Sequence, residues 1–444
     1  MALRMPALTS GSPVAAKECR SGETRTINVI ESRHIHSRSD HPHMPLKLKY
    51  VLVSIIFCLS IFVDPGASLG QRSVEELHKI LREKLAFDES ELTDLQRGQT
   101  IVKLLPVQDK KEVAMAGIVG LELTPQAFLE SFRENMTAKT NRAILEIGRF
   151  SSQPTLDDLK DLTFEIRDIE DLRNCVVGNC QLKLSASMIE RLRKEIDWDA
   201  PDHSIKASQL LKVMLVDYVR DYLQRGDIAL IEYSDKENTV RLAEEQHALK
   251  GTSTYLNDVL TNSKYLTTQS SLKNIENAIV WSKTDFGRKP VISINHIAIY
   301  ENPTEIGPQV LIASRQIYAN HYFNSSLALT GFVNVPNASL GSYLIYENRS
   351  RVDGFGGPFG GVMRDIVAHK AVNALTAILE QSKATLTART FNQTEFVSST
   401  NERKWRPWKR MRGQVLFFGL LIVTASAGLL GLSKYRYRWK TEVS

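Results

Sequence analysis

The sequence predicts an α+β fold: an antiparallel sheet packed on a long C-terminal helix, with helical insertions and one further C-terminal transmembrane helix. Three observations carry this expectation. Strand-like runs separated by turn residues crowd the stretch from 290 to 348. An amphipathic pattern follows from Phe359 to Leu379, with apolar residues every three to four positions. Two apolar segments, Tyr50–Val63 and Val415–Leu432, lie outside this core pattern.

The chain has 444 residues, 43% of them hydrophobic and 24% charged. That apolar fraction is ordinary for a globular protein and argues against disorder throughout. The net charge is +6, but residues 401–444 alone hold ten Lys/Arg against two Glu, or +8. Residues 1–400 are therefore at −2 (6 − 8), and the first 49 residues are themselves basic. A nucleic-acid binder concentrates positive charge on its folded domain, so no nucleic-acid partner is expected.

Lys47 and Lys49 precede the first apolar segment and Gly66-Ala67-Ser68 follow it, a signal-peptide pattern over 44–68. Residues 1–43 then read as a disordered leader or a mis-annotated start before Met44. The 18 uncharged residues 415–432 meet the length of a membrane helix, with Trp405, Trp408, Tyr435, Tyr437 and Trp439 as interface anchors. The expected order is an exported α+β domain over 69–384, a polar stalk over 385–402, a basic juxtamembrane segment over 403–414, the span, and a cytoplasmic tail over 433–444. The corresponding location is the bacterial inner membrane, single-pass, with the large domain in the periplasm and the bilayer as partner.

Within the domain, Val74, Leu77, Ile80, Leu81 and Leu85 lie on one helical face. Val113–Leu123 reads as a strand. Thr124-Pro125 then starts a helix, with Thr as cap and Pro at the first helical position. Cys180–Leu184 reads as a brief strand, with helices after it through Met188–Ile196 and over Ser204–Arg225, the latter ended by Gly226. Asp227–Tyr233, Pro290–Tyr300, Val310–Ala319, Leu327–Val335 and Ser342–Asn348 read as further strands. Cys175 and Cys180 flank Val-Val-Gly-Asn, a turn-forming spacer, and an exported pair at that distance points to a local disulfide.

This order of elements resembles the helix-grip fold of the START and Bet v 1-like superfamily, with Val113–Phe132 and Val291–Leu379 as the matching pieces. The resemblance implies an apolar cavity between a curved sheet and the closing helix. The strings NHYFNSSLALT (320–330) and YENRSRVDG (346–354) are also similar to those of a group of bacterial exported, membrane-anchored proteins with no assigned activity. Neither resemblance supplies catalytic residues, and fold alone does not set function.

The densest polar set is His296, Arg315, His321, Tyr322, Arg349, Ser350, Arg351 and Asp353. Strand alternation places Arg349 and Arg351 on one face, and likewise Gln316 and Tyr318, with Ser350 opposite. Arg315, Tyr318, Arg349 and Arg351 are the candidate ligand-binding residues, with Arg349 or Arg351 orienting an anionic headgroup beside an apolar pocket. His321 with Asp353 is the candidate acid–base pair. Ser350 lacks the G-x-S-x-G context of a nucleophile elbow. His296, His321 and Asp353 have no compact metal-ligand spacing, so neither metal nor cofactor is expected. The glycine run 354–361 lacks the Gly-Lys-Ser/Thr of a phosphate loop.

Three functions follow as expectations. The first is a membrane-tethered domain binding a lipid-like or other apolar small molecule. The second is an envelope hydrolase using His321 and Asp353. The third is a structural or partner-binding envelope protein without catalysis.

Overall fold

The computed structural model describes residues 65–398, apart from 140–142, 254–274, 287–288, 302–308, 336–337, 339, 354 and 356–359. Its centre is an eight-stranded, wholly antiparallel sheet. Strands β1 (Ile101–Leu104), β2 (Glu112–Leu121), β3 (Ile144–Arg149), β6 (Ile275–Thr284), β7 (Val291–Glu301), β8 (Val310–Ala319), β9 (Phe323–Asn334) and β10 (Ser342–Val352) lie in the order β1-β2-β10-β9-β8-β7-β6-β3. The run from β6 to β10 is a meander, the simplest outcome for strands joined by short links. The first hairpin adds to β10 at one end, and β3 adds to β6 at the other. A small ribbon of β4 (Glu232–Tyr233) and β5 (Val240–Arg241) stands apart.

Both faces of the sheet are covered. One face carries α3 (Pro125–Asn135) and α8 (Gly360–Ser398), whose Phe128, Phe132, Val367, Ala371, Leu375 and Leu379 pack on Met115, Val119, Ile297, Phe332 and Tyr346. The start of α3 follows its sequence, with Thr124 Oγ1 accepting from Ala127 N and Pro125 in the first turn. The other face carries α1 (Pro65–Leu85) and α2 (Glu89–Gln96) over Ala114, Ala116, Ile118 and Ile345. Its far end is covered by a helical insertion built from α4 (Ile166–Leu172), α5 (Ala186–Glu195) and α6 (His203–Arg225). Their apolar sides pack on Trp281, Ile292, Ile294, Ile317 and Tyr318. The helix α7 (Leu242–Thr252) lies over β9 and β10 on that same face. Double-sided burial explains why every residue of β2 and β10 is buried.

The structure corrects several expectations. Cys180–Leu184 is not a strand; it is an irregular segment held by Lys183 N donating to Asn320 O and Ser234 N donating to Leu184 O. Only Glu232–Tyr233 of the expected strand 227–233 is extended. Strand β10 runs four residues past Asn348, so Arg349, Ser350 and Arg351 lie within the sheet. Residues 385–398, read as stalk, are part of α8.

The expected signal core and the span at 415–432 lie outside the described residues. Among the described residues no helix is long and apolar enough to cross a membrane. The longest, α8, interleaves Arg364, Asp365, His369, Lys370, Glu380 and Lys383 with its apolar side. The fold is therefore α+β with an eight-stranded antiparallel sheet and a C-terminal helix. The transmembrane helix, the bilayer partner, the single-pass inner-membrane location and the membrane-tethered function are withdrawn.

The apolar cavity implied between sheet and closing helix is also replaced by contact. A Cβ placed on Gly117 of β2 would meet Leu379 Cδ1 at 2.7 Å and Leu375 Cδ2 at 3.2 Å. The helix thus lies directly on the strand, and Leu375 and Leu379 are fully buried. Gly117→Ala is expected to destabilise the fold by about 1–3 kcal/mol through overpacking. Gly251→Ala on α7, where an added Cβ meets nothing within 4 Å, should instead stabilise by about 0.5–1 kcal/mol. Urea unfolding of the two variants checks both signs.

Candidate functional site

Cross-strand register aligns His296 with Arg315, Arg315 with Leu327, and Leu327 with Arg349. The three polar residues therefore share the face covered by α7 and the insertion. A bulge at Ile317, where Ile294 pairs Tyr318 and Asn295 pairs Gln316, shifts Tyr318 onto this face and leaves Gln316 on the other. Simple alternation had put those two together.

Each of the four expected ligand-binding side chains is committed to protein partners. Arg315 donates from Nε to Gln246 Oε1 (2.5 Å) and from Nη1 to Asp227 Oδ1 (2.7 Å). Arg349 bridges Glu112 (2.7 Å) and Glu347 (2.8 Å), both fully buried. Arg351 bridges Glu245 and Asp109. Tyr318 is buried against Tyr218 and Tyr233. Ser350 faces the α8 side and donates to Ser326 Oγ. His296 accepts at Nδ1 from Tyr222 OH (2.8 Å), and its Nε2 bonds Asn277 Oδ1 (2.9 Å). Burial, reinforced by the Arg315 cation, pushes its imidazole down to about 4.

A cleft of about 920 Å³ opens elsewhere, at the end of the sheet where β9 begins and β10 ends. Much of its wall comes from four stretches of chain, with Lys111, Lys183 and Glu245 adding to it. Gly178, Asn179, Cys180 and Gln181 form one side; Asp235, Lys236, Glu237 and Asn238 form the next. His321, Tyr322 and Asn324 enter from the β8–β9 turn, and Val352 and Asp353 from the end of β10. Cys175 and Cys180 are joined by a disulfide.

Lys183 lies at the centre of this cleft and is only 3% exposed. Its ammonium donates to Asp353 Oδ2 (2.8 Å) and Asn324 Oδ1 (3.0 Å), lies 3.9 Å from Asp235 Oδ1, and sits over the Tyr233 ring at 4.6 Å. Lys236 adds a second contact to Asp353 at 3.0 Å. Burial alone would raise the Asp353 carboxyl, but Lys183 and Lys236 outweigh it and hold the group below its usual value. Asp235 goes the other way: burial raises its carboxyl, and the more distant Lys183 offsets only part of that. Two carboxylates beside one ammonium therefore differ in proton affinity.

His321 is the other buried titratable group here. Its Nε2 bonds Asp168 Oδ2 at 2.9 Å, and Asp168 also meets Lys289 at 3.0 Å. Burial raises the Asp168 carboxyl, while His321 and Lys289 together outweigh that and lower it. Tyr322 follows at φ 58°, the left-handed region, with its carbonyl accepting from Asp353 N at 2.6 Å. A non-glycine residue there costs about 1–2 kcal/mol, and such outliers gather at functional sites.

The structure thus brings His321 and Asp353 to one cleft but gives each a different partner, Asp168 for the first and Lys183 for the second. The hydrolase reading, which needed the two to act as a pair, is withdrawn. Arg315, Tyr318, Arg349 and Arg351 do not line the cleft. Lys183, Asp235 and Asp168 were missed in sequence. The only available signal was a lysine in the apolar run Leu182–Leu184. Among the described residues no group of three or more His, Cys, Asp or Glu could hold a metal ion.

Comparison with known proteins finds no similar family model, curated protein or solved structure.

Two predictions follow from the buried groups. Arg349→Met leaves Glu112 and Glu347 as uncompensated buried acids, so chemical denaturation should show a loss of about 3–5 kcal/mol. The lowered His296 contributes stability that is fully present above its unfolded value of 6.5 and is lost as pH falls towards 4. The loss should reach about 3 kcal/mol, and His296→Gln should flatten the stability profile across that window.

Proposed function

We propose that the domain is a binding module for a small polar ligand of low net charge, held in the cleft around Lys183. The single observation that carries this reading is the Lys183 ammonium. It is a nearly fully buried cation, fixed by Asp353, Asn324 and the Tyr233 ring, at the floor of an open cleft. A buried charge is costly unless fully paired, and here the pairing groups are themselves cleft-lining. The volume falls within the roughly 300–1,000 Å³ of small-molecule sites.

The lining chemistry sets the class of ligand. Lys111, Lys183 and Lys236 face Asp235, Glu237, Glu245 and Asp353, so charges of both signs nearly cancel. Asn179, Gln181, Asn238 and Asn324 each offer a donor and an acceptor. Such a surface suits hydroxyl- or amide-rich ligands over a lipid tail or a polyanion.

Amide-resolved NMR titration tests this with three probes: a neutral disaccharide, glycylglycine and inorganic phosphate. The expected result is saturable shifts from the disaccharide or the dipeptide, clustered at Asn179, Gln181, Asn324 and Asp353 and absent with phosphate. Lys183→Met should abolish those shifts. Shifts scattered over the surface, or none from either neutral probe, would sink the reading. A purely structural ion cluster would lose stability in Lys183→Met without any probe ever reporting on the cleft.

A further inference from the structure

We propose that the Cys175–Cys180 disulfide is a redox-sensitive wall of the cleft whose reduction weakens ligand binding; this rests on the cleft being the binding site described above. The bond closes a six-residue loop, and the half of that loop from Gly178 to Cys180 lines the cleft, with Gln181 just beyond it. The loop is pinned to the adjoining wall by two backbone hydrogen bonds. Gly178 N donates to Ser234 O at 2.8 Å, and Cys180 N donates to Asp235 O at 2.9 Å. The segment it pins carries Asp235 and Lys236, both of which contact the Lys183–Asp353 centre. Gly178 turns the loop at φ +88°, a conformation that an L side chain rarely adopts.

The other end of the bond reaches the second half of the site. Cys175 lies just past the C-terminus of α4, whose Asp171 pairs with Lys289 at 2.6 Å. Lys289 also pairs with Asp168, the partner of His321. The disulfide therefore ties the wall carrying Asp235 to the helix that orients His321. Without it, each side depends on backbone hydrogen bonds at a cleft edge.

Access to the two sulfurs is unequal. Both cysteines are largely buried, but Cys180 lines the cleft and Cys175 does not. A dithiol reductant would attack the Cys180 sulfur as a thiolate, forming a mixed disulfide and expelling the Cys175 thiolate. That thiolate takes a proton, and the new thiol has an acceptor ready in Asp171 O, 3.6 Å from Cys175 Sγ. The second thiol of the reductant, deprotonated, then attacks its own mixed-disulfide sulfur and releases the Cys180 thiolate, which is protonated in turn. Two electrons and two protons pass to the protein, and the reductant leaves as a cyclic disulfide.

The experiment uses the full chain, oxidised and after dithiothreitol, followed by hydrogen-exchange mass spectrometry and titration with whichever neutral probe binds the oxidised form. Reduction is expected to raise exchange in 176–181 and 234–236, leave the β7–β8 core unchanged, and lower probe affinity by about tenfold. Reoxidation should restore both readouts. The double variant Cys175→Ser/Cys180→Ser should match the reduced protein; should it fail to fold, the reversible chemical reduction decides alone. Unchanged exchange in both segments, or unchanged affinity despite faster exchange, overturns the inference. A loosened wall in a protein whose oxidised form binds neither neutral probe overturns the binding reading and the redox inference with it.

Discussion

Burial of the sheet on both faces is the constraint on which the remaining features depend. A one-sided sheet leaves alternate residues to water, and its polar side chains need no partners. Here α8 covers one face, and α1, α2, α7 and the insertion cover the other. Every polar residue on β2, β7, β8, β9 and β10 must then find a protein partner or lie at a strand end that opens to solvent. Glu112, Arg349 and Glu347 find partners within the covered sheet, and His321, Asn324 and Asp353 find theirs in Asp168 and Lys183 where the sheet ends at the cleft. The cleft is thus where the covered sheet runs out of cover.

The same constraint sorts the charged residues by role. Arg315, Arg349 and Arg351 bind α7 to the sheet through Gln246, Thr252 and Glu245. Ser253 follows them, donating to both oxygens of Glu347. Buried ion pairs of this kind add little net stability over a well-packed apolar core, yet removing one partner costs several kcal/mol. They fix which helix sits where. Lys183 differs in that it lines the cleft itself together with its partners Asn324 and Asp353.

Much of the sheet was legible from local pattern. The bounds of β8 coincide with the apolar run 310–319, β7 with 290–300 to within a residue, and α6 with 204–225. Thr124-Pro125 marked the start of α3 because a cap is a local interaction. Less legible were β1 and β6, although each has a hairpin partner nearby in sequence, and β3, whose strand state depends on β6 far along the chain. The bulge at Ile317 defeated parity, since one extra residue inverts every face assignment beyond it. The extension of β10 through Val352 took Arg349 and Arg351 from beside an expected apolar pocket into the sheet. His321 and Asp353 were found as residues but paired wrongly. The partner of His321 is Asp168, 153 positions earlier, and that of Asp353 is Lys183, 170 positions earlier. No local spacing encodes either pair.

Those two long-range pairs have a common origin in the insertion. Asp168 lies on α4 and Lys183 on the segment that follows the Cys175–Cys180 loop, so both reach the sheet end through one short stretch of chain. Displacement of that stretch would remove the partner of His321 and the partner of Asp353 together. The sheet alone supplies a histidine, an asparagine, a strained tyrosine turn and an aspartate; the insertion supplies the acid and the base that set their ionisation. Neither part forms the cleft by itself. The site therefore depends on the docking of α4 and its loop against β7 and β8, where Leu172, Leu182 and Leu184 join Ile292, Ile294 and Ile317 in one apolar cluster. Apolar packing a few residues away thus holds the polar centre in register.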